Sequence, residues 1–391
     1  MICTMDVLNR TIAPVALKLH SQYPILTITG PRQSGKTTLV KTLFPDKPYI
    51  NFEKPDTREY FESDPNGFLA AYPDGAIFDE IQRVPELSSY LQVLVDSLQR
   101  NALFILTGSA QFEMLTQVNQ SLAGRTALLR LLPFSVGELG SFASHNIDTL
   151  LYTGFYPRIY HDKLNPSQFY ADYLQTYIER DVRQLIEIKN LSLFQRFIRL
   201  CAGRVGQLLN LESLGNDTGV SSVTVRHWLS VLEASYVIML LPPWFENNGK
   251  RLIKSPKLYF YDIGLASWLC GIEGEAHAAS HPLRGNLFEN MVIMEALKCR
   301  YNQGKQGSLY FYRDAKGMEV DLLYPDGPHF IPVEIKSAQT IHASFYDTLI
   351  KIKALFPEKH SGSLLVYGGK EEQNRTEGKA VPWFSFVNEL P

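Results

Sequence analysis

One run of eight residues limits this chain more than any other: Gly30-Pro31-Arg32-Gln33-Ser34-Gly35-Lys36-Thr37. It follows the pattern glycine, four residues of any kind, glycine, lysine, then threonine or serine. The apolar run Ile25 to Thr29 reads as a strand before it, and Thr37 to Leu43 reads as a helix after it. The context matters, because a glycine loop of this composition can arise by chance. Between a buried strand and a helix N-terminus, the glycines let backbone N–H groups curl around phosphate, and the helix end adds partial positive charge. Lys36 would reach the β- and γ-phosphates of ATP, and the Thr37 hydroxyl would ligate Mg²⁺. Gly30, Pro31, Arg32, Gln33, Ser34, Gly35, Lys36, Thr37 and Thr38 are the expected nucleotide-binding residues.

Such a loop needs acids on a second strand. Ala76-Ile77-Phe78-Asp79-Glu80 supplies them. Asp79 would hold Mg²⁺ through water, and Glu80 would polarise the attacking water. Apolar residues ending in two acids can also be a strand reaching the surface, so the pair gains its meaning from the phosphate loop. A further run ends at Thr107-Gly108-Ser109, which puts a small hydroxyl near the γ-phosphate; a simple turn reads the same way. Arg125, just before another apolar run, is a candidate arginine finger for a neighbouring subunit's ATP, with a surface ion pair as the bland alternative.

Apolar runs and helical stretches alternate through this part. The strands are read as Ile25 to Thr29, Tyr49 to Phe52, Ala76 to Phe78, Phe104 to Thr107 and Ala127 to Leu131, with Leu87 to Leu98 among the crossover helices. That alternation predicts an α/β fold, a parallel sheet covered on both faces. Beyond Pro133 the pattern turns helical, with a long helix from Gln168 to Ile188 and another from Leu193 to Gly203. The chain has 391 residues, enough for two or three domains. We divide it into 1–135 (ATPase domain), 136–205 (helical lid), 206–270 and 271–391. The net charge is -2, so any contact with DNA needs a local basic patch. The four cysteines, Cys3, Cys201, Cys270 and Cys299, lack zinc or disulfide spacing. No signal peptide or membrane span is read, and the default location is cytoplasmic.

These motifs resemble a family of prokaryotic AAA+ ATPases. The resemblance rests on Gly30 to Thr38, Phe78-Asp79-Glu80-Ile81-Gln82, Leu106-Thr107-Gly108-Ser109 and Leu122-Ala123-Gly124-Arg125. Tyr177-Ile178-Glu179-Arg180-Asp181-Val182 and Leu283-Arg284-Gly285-Asn286-Leu287-Phe288-Glu289 are also similar to signatures of that family. The resemblance implies ATP binding and a C-terminal domain related to the PD-(D/E)XK nucleases. One departure is at the first sensor position, where many AAA+ proteins carry Asn and this chain offers Thr107 or Ser109.

Residues 206–270 read as winged-helix order. A short helix from Leu208 to Gly215 and a turn at Gly219 precede a second helix to Ala234 that starts at Ser221 or Ser222. Strands Val237 to Leu241 and Lys257 to Tyr261 then flank a loop. If the segment reads double-stranded DNA, Thr224, Arg226 and His227 face the groove, and Lys250, Arg251 and Lys254 meet phosphates. Winged helices also serve as lids and protein contacts.

The last region holds Glu319-Val320-Asp321 and Pro332-Val333-Glu334-Ile335-Lys336. Alternation along a strand puts Glu334 and Lys336 on one face. Asp321 and Glu334 are expected to hold a metal, Lys336 to steady phosphate charge or activate water, and Glu289 to complete the set. An ion pair on a strand explains Glu334 and Lys336 equally simply. Two functions fit the whole pattern. One is Mg²⁺-dependent ATP hydrolysis coupled to binding or processing of DNA. The other is an ATP-controlled switch or scaffold acting on a protein partner, with an inactive nuclease-like domain. Arg125 makes a homo-oligomer part of either.

Overall fold

The computed structural model describes residues 9–109, 121–140, 146–178, 191–245 and 254–391. The chain divides into two compact units. The first is Met1–Phe134 with Ala234–Tyr236 and Arg300–Lys305; the second is Ser135–Glu233, Val237–Cys299 and Gln306–Pro391.

The first unit is built on five strands: β1 (Ile25–Thr29), β2 (Tyr49–Asn51), β3 (Ile77–Asp79), β4 (Phe104–Gly108) and β5 (Thr126–Arg130). All pairs are parallel, in the order β2-β3-β4-β1-β5. Every residue of β1, β3 and β4 is buried, as expected for strands covered on both faces. Side chains alternate between two cores. Ile25, Phe78, Phe104 and Leu106 join an aromatic-rich cluster with Phe52, Phe61 and Phe68, while Leu26, Ile28, Ile77 and Ile105 join Leu39, Val40 and Leu129 on the other face. The topology carries a functional consequence: β4 lies between β1 and β3, so the loop after β1 and the acids after β3 flank the end of β4. The predicted P-loop parallel sheet is the observed fold, and the strand edges differ from the sequence reading by a residue or so.

The second unit opens with helices Val136–Leu139, Ile147–Thr153, Pro157–His161, Pro166–Tyr173 and Leu191–Ala202. The expected Gln168–Ile188 helix is helical as far as it is described: α-helix over Pro166–Tyr173 continues as a π-helical turn over Leu174–Ile178, and residues 179–190 lie outside the described set, with most of the Tyr177–Val182 signature. Helices Leu211–Thr218 and Ser222–Ala234 follow, joined at Gly219. Gly219 has φ +87, which an L side chain rarely adopts. Strands β6 (Ile238–Leu241) and β7 (Lys257–Phe260) then pair antiparallel. The helix–turn–helix–hairpin order read from sequence is therefore present.

The rest of the chain holds the helix Arg284–Asn302, which belongs to this unit up to Cys299, and a six-stranded mixed sheet: β8 (Tyr310–Arg313), β9 (Glu319–Asp326), β10 (His329–Lys336), β11 (Leu364–Tyr367), β12 (Gln373–Arg375) and β13 (Gly378–Pro382). The order is β12-β13-β11-β10-β9-β8. Strands β8, β9 and β10 run antiparallel in sequence, while β10, β11 and β13 run parallel. No helix among the described residues is long and apolar enough to cross a membrane.

Candidate nucleotide site and a buried carboxylate cluster

The loop from Gly30 to Gly35 is shaped by three unusual backbone angles. Gly30 has φ +151, and a Cβ there would meet the Leu131 carbonyl oxygen at 2.1 Å. Gln33 has φ +61 and Gly35 has φ +93. Positive φ at two nearby residues makes the concave backbone that collects anions. Ser34 is fully buried, and its hydroxyl finds no hydrogen-bond partner among the described residues; the side-chain oxygen of Gln33 is in the same position. Buried polar atoms of that kind fit a loop built to receive a polar ligand. Lys36, the first residue of helix Lys36–Leu43, is buried and donates to the carbonyls of Gly30 at 2.9 Å and Pro31 at 2.7 Å. Thr37 is half-buried, and Thr38 is exposed on the first turn.

Asp79 ends β3 and is buried. Three hydroxyls donate to it: Thr37 at 2.8 Å and Tyr49 at 2.6 Å to Oδ2, and Thr107 to Oδ1. Burial, together with the bond to Asp79, raises the Tyr49 hydroxyl well above its ordinary pKa, so it stays a donor. The Thr37–Asp79 pair is a set of hard oxygen donors, the kind that holds Mg²⁺. Glu80 follows in the left-handed region, φ +60. Its carboxylate accepts from the Gln82 amide, and Ser109 lies beside both, 3.3 Å from Gln82 and 3.5 Å from Glu80. The structure thus brings Lys36, Thr37, Asp79, Glu80, Thr107 and Ser109 to one end of the sheet. Arg125 is elsewhere in its contacts: its guanidinium grips Asp96 with two bonds, at 2.6 and 2.7 Å.

Sequence reading missed two residues here. Tyr49 gave no signal because one tyrosine on a short strand reads as packing. Arg10 donates to the carbonyls of Ser34 at 2.8 Å and Leu132 at 2.6 Å, tying the phosphate loop to the chain beyond β5. A lone arginine twenty residues before the motif carries no local pattern.

In the second unit, Glu289, Asp321, Glu334 and Lys336 do converge, and two further residues join them. Lys257, at the start of β7, places its ammonium 3.0 Å from Glu289, 2.5 Å from Glu319 and 4.0 Å from Asp321. Its side chain is 3% exposed. Lys336 lies 2.5 Å from Glu334 and 3.7 Å from Asp321. Asp321 also accepts from the Ile335 amide at 2.8 Å, where the β9–β10 ladder has run out of paired carbonyls. Tyr259 donates to Glu289 at 2.5 Å, Thr348 to Glu334 at 2.8 Å, and Arg313 to Glu319 at 2.7 Å. Burial, then the Asp321 charge, pushes Glu289 and Glu334 each up to about 7. Burial pulls the Lys257 ammonium down, but Glu289, Asp321 and Glu319 outweigh it and hold its pKa above the ordinary lysine value.

Asp321 and Glu334, the two residues expected to hold a metal, each lie within ion-pair distance of Lys336. Among the described residues no three His, Cys, Asp or Glu side chains are placed to hold a metal ion. Each carboxylate of the cluster faces an ammonium. Of the residues expected to touch DNA, Arg226 and His227 are exposed, Thr224 is half-buried, and Lys254 is exposed; Lys250 and Arg251 lie outside the described residues.

Three families match the chain in succession: AAA domain at residues 22–140, Domain of unknown function (DUF8612) at 144–276, and Domain of unknown function (DUF4143) at 284–386. The uncharacterized protein Rv2008c of Mycobacterium tuberculosis is 30% identical over 347 residues, covering 86% of this chain and 77% of that protein; Mb2031c of Mycobacterium bovis matches equally. Among solved structures, the Walker-type ATPase PABY2304 of Pyrococcus abyssi aligns at 15% identity over 68% of this chain and 96% of its own, with a TM-score of 0.45. AMPPCP-bound DnaA from Aquifex aeolicus aligns at 15% identity over 57% and 86%, with a TM-score of 0.30. The chain belongs to one family with the two mycobacterial proteins, and its residues 22–140 match the AAA domain.

Proposed function

We propose that this protein hydrolyses ATP with Mg²⁺ at the end of the β2-β3-β4-β1-β5 sheet. One observation carries the reading: Asp79 and Thr37, forty-two residues apart, meet at 2.8 Å beside a loop with the backbone of an anion site. Thr37 and Asp79 would hold Mg²⁺. The ion, when bound, supplies charge neutralisation on the phosphates. Lys36 exchanges the carbonyls of Gly30 and Pro31 for phosphate oxygens. Glu80, released from Gln82, orients and polarises the attacking water, and Ser109 stands beside it. Arg125 acts toward a second chain's nucleotide only if it leaves Asp96; specific activity that rises with protein concentration and loses that rise in Arg125→Ala would support this role.

Phosphate release from MgATP tests the reading. Glu80→Gln is expected to keep nucleotide binding and lose turnover, and Lys36→Ala to lose both. Turnover by Glu80→Gln at the wild-type rate would overturn it.

For the second unit, the reading supported best is DNA binding without cutting. The exposed Arg226 and His227 on helix Ser222–Ala234, ahead of a β-hairpin, suit a groove. Duplex DNA should raise the ATPase rate of wild type and not of an Arg226→Ala, His227→Ala variant. An ATP-controlled switch on a protein partner also has a specific observation behind it. Val223 on the same helix is 73% exposed, and Phe245 after the hairpin's first strand is 47% exposed. Nucleotide-dependent assembly with no effect of DNA would favour that reading.

A further inference from the structure

The carboxylate cluster of the second unit holds an ammonium in the midst of its acids. A divalent ion there would need several of these oxygens at roughly 2.0–2.6 Å. Lys257 contacts Glu289 and Glu319 directly and stands at the edge of contact with Asp321. An ammonium has three hydrogens to donate and no lone pair, so it satisfies oxygens as a metal does while repelling one. Lys336 takes the other side of Asp321 and all but encloses Glu334 with Thr348. Lys257 cannot be treated as a surface side chain that happened to fold inward. Its backbone is fixed by the β6–β7 pairing, its ammonium lies 5.6 Å from the Phe311 ring centre, and its side chain is almost wholly buried. A buried charge in such a place persists only when it is paired on several sides.

We infer that Lys257 is the resident cation of this cluster, so that Glu289, Glu319 and Asp321 form a lysine-closed site that takes no divalent metal. The inference does not depend on the ATPase reading, because it concerns residues of the second unit alone. It implies that these carboxylates serve as an internal ion network, and that one substitution opens the cluster to a metal.

The test is Mn²⁺ binding to the full chain without nucleotide, read by electron paramagnetic resonance. Every protein carries Asp79→Asn, which removes the carboxylate proposed to hold Mg²⁺ at the nucleotide site. The Lys257-intact parent should show Mn²⁺ binding that neither Glu289→Gln nor Asp321→Asn changes. Adding Lys257→Met should tighten Mn²⁺ binding at least tenfold, and adding Glu289→Gln to that variant should remove the gain. If the parent binds one Mn²⁺ that Glu289→Gln or Asp321→Asn abolishes, the inference is wrong, because Lys257 then yields its place to a metal. Should Lys257→Met fail to fold, the comparison of the parent with its Glu289→Gln and Asp321→Asn derivatives decides the matter alone. A well-folded Lys257→Met that gains no Mn²⁺ affinity would also count against a metal-like position for the ammonium.

Discussion

Both units bury carboxylates near the ends of strands, yet they neutralise them differently. Asp79 in the first unit is surrounded by hydroxyls, those of Thr37, Tyr49 and Thr107. Hydroxyls can donate to a carboxylate and then rotate to accept, and they bring no charge. Glu289, Glu319, Asp321 and Glu334 in the second unit are held by Lys257 and Lys336, which bring full charge and donate only. The first arrangement leaves the carboxylate charge open to an arriving cation. The second has balanced its charge within the fold. Acids in a motif order therefore do not by themselves say whether a metal is bound; what surrounds them does.

The sharpest way to break this comparison is at the phosphate loop. Lys36→Ala should lower the ATP turnover rate by about 10²-fold or more, since it removes a charged donor from the phosphates, while leaving the melting of the second unit unchanged. Phosphate release and a thermal scan check the two halves of that statement. Next in size is Lys257→Met. Removing one partner of a buried ion network leaves charge unpaired and costs roughly 3–5 kcal/mol, so denaturant unfolding should show the second unit weakened and the first unaffected. Tyr49→Phe is subtler. It deletes one of the hydroxyls on Asp79 without touching the phosphate loop, and is expected to shift the Mg²⁺ concentration needed for half-maximal hydrolysis by a few-fold, with the maximal rate nearly retained.

A separate expectation concerns pH dependence, where the two units should differ in sign. Burial, helped by Lys47, lowers His20 in the first unit to about 4. Unfolded, it takes a proton near its ordinary 6.5. Its contribution to stability is whole above that value and is lost as pH falls toward 4. Glu289 and Glu334 are raised from 4.5 to about 7. Their contribution is whole below 4.5 and is lost as pH rises toward 7. Acidification through this window should thus weaken the first unit and favour the second. Hydrogen exchange resolved by unit checks both signs; His20→Leu should remove the first trend, and Glu289→Gln should reduce the second.

The nucleotide site was legible because its residues sit in contiguous runs whose chemistry requires neighbours. A loop that wraps phosphate must put Gly30, Gly35, Lys36 and Thr37 close in sequence, and a strand end puts Asp79 next to Glu80. The parallel sheet followed from apolar runs of strand length. What could not be read was the far side of each contact. Arg10 and Tyr49 reach the site from separate elements, with no spacing to mark them. Lys257 was visible only as the first residue of a strand, yet it decides the character of the carboxylate cluster. The long helix expected after Gln168 shows a further limit. Helical periodicity continues through Leu174–Ile178, but the hydrogen-bond ladder there shifts to π, which side-chain spacing does not reveal.

The contrast between an open and a closed carboxylate site is tested most directly by counting Mn²⁺ bound per chain in the presence of a non-hydrolysable ATP analogue. One Mn²⁺ is expected, lost in Thr37→Ala and in Asp79→Asn and retained in Asp321→Asn. Two Mn²⁺ per chain, or one that survives Asp79→Asn and disappears in Asp321→Asn, would contradict it.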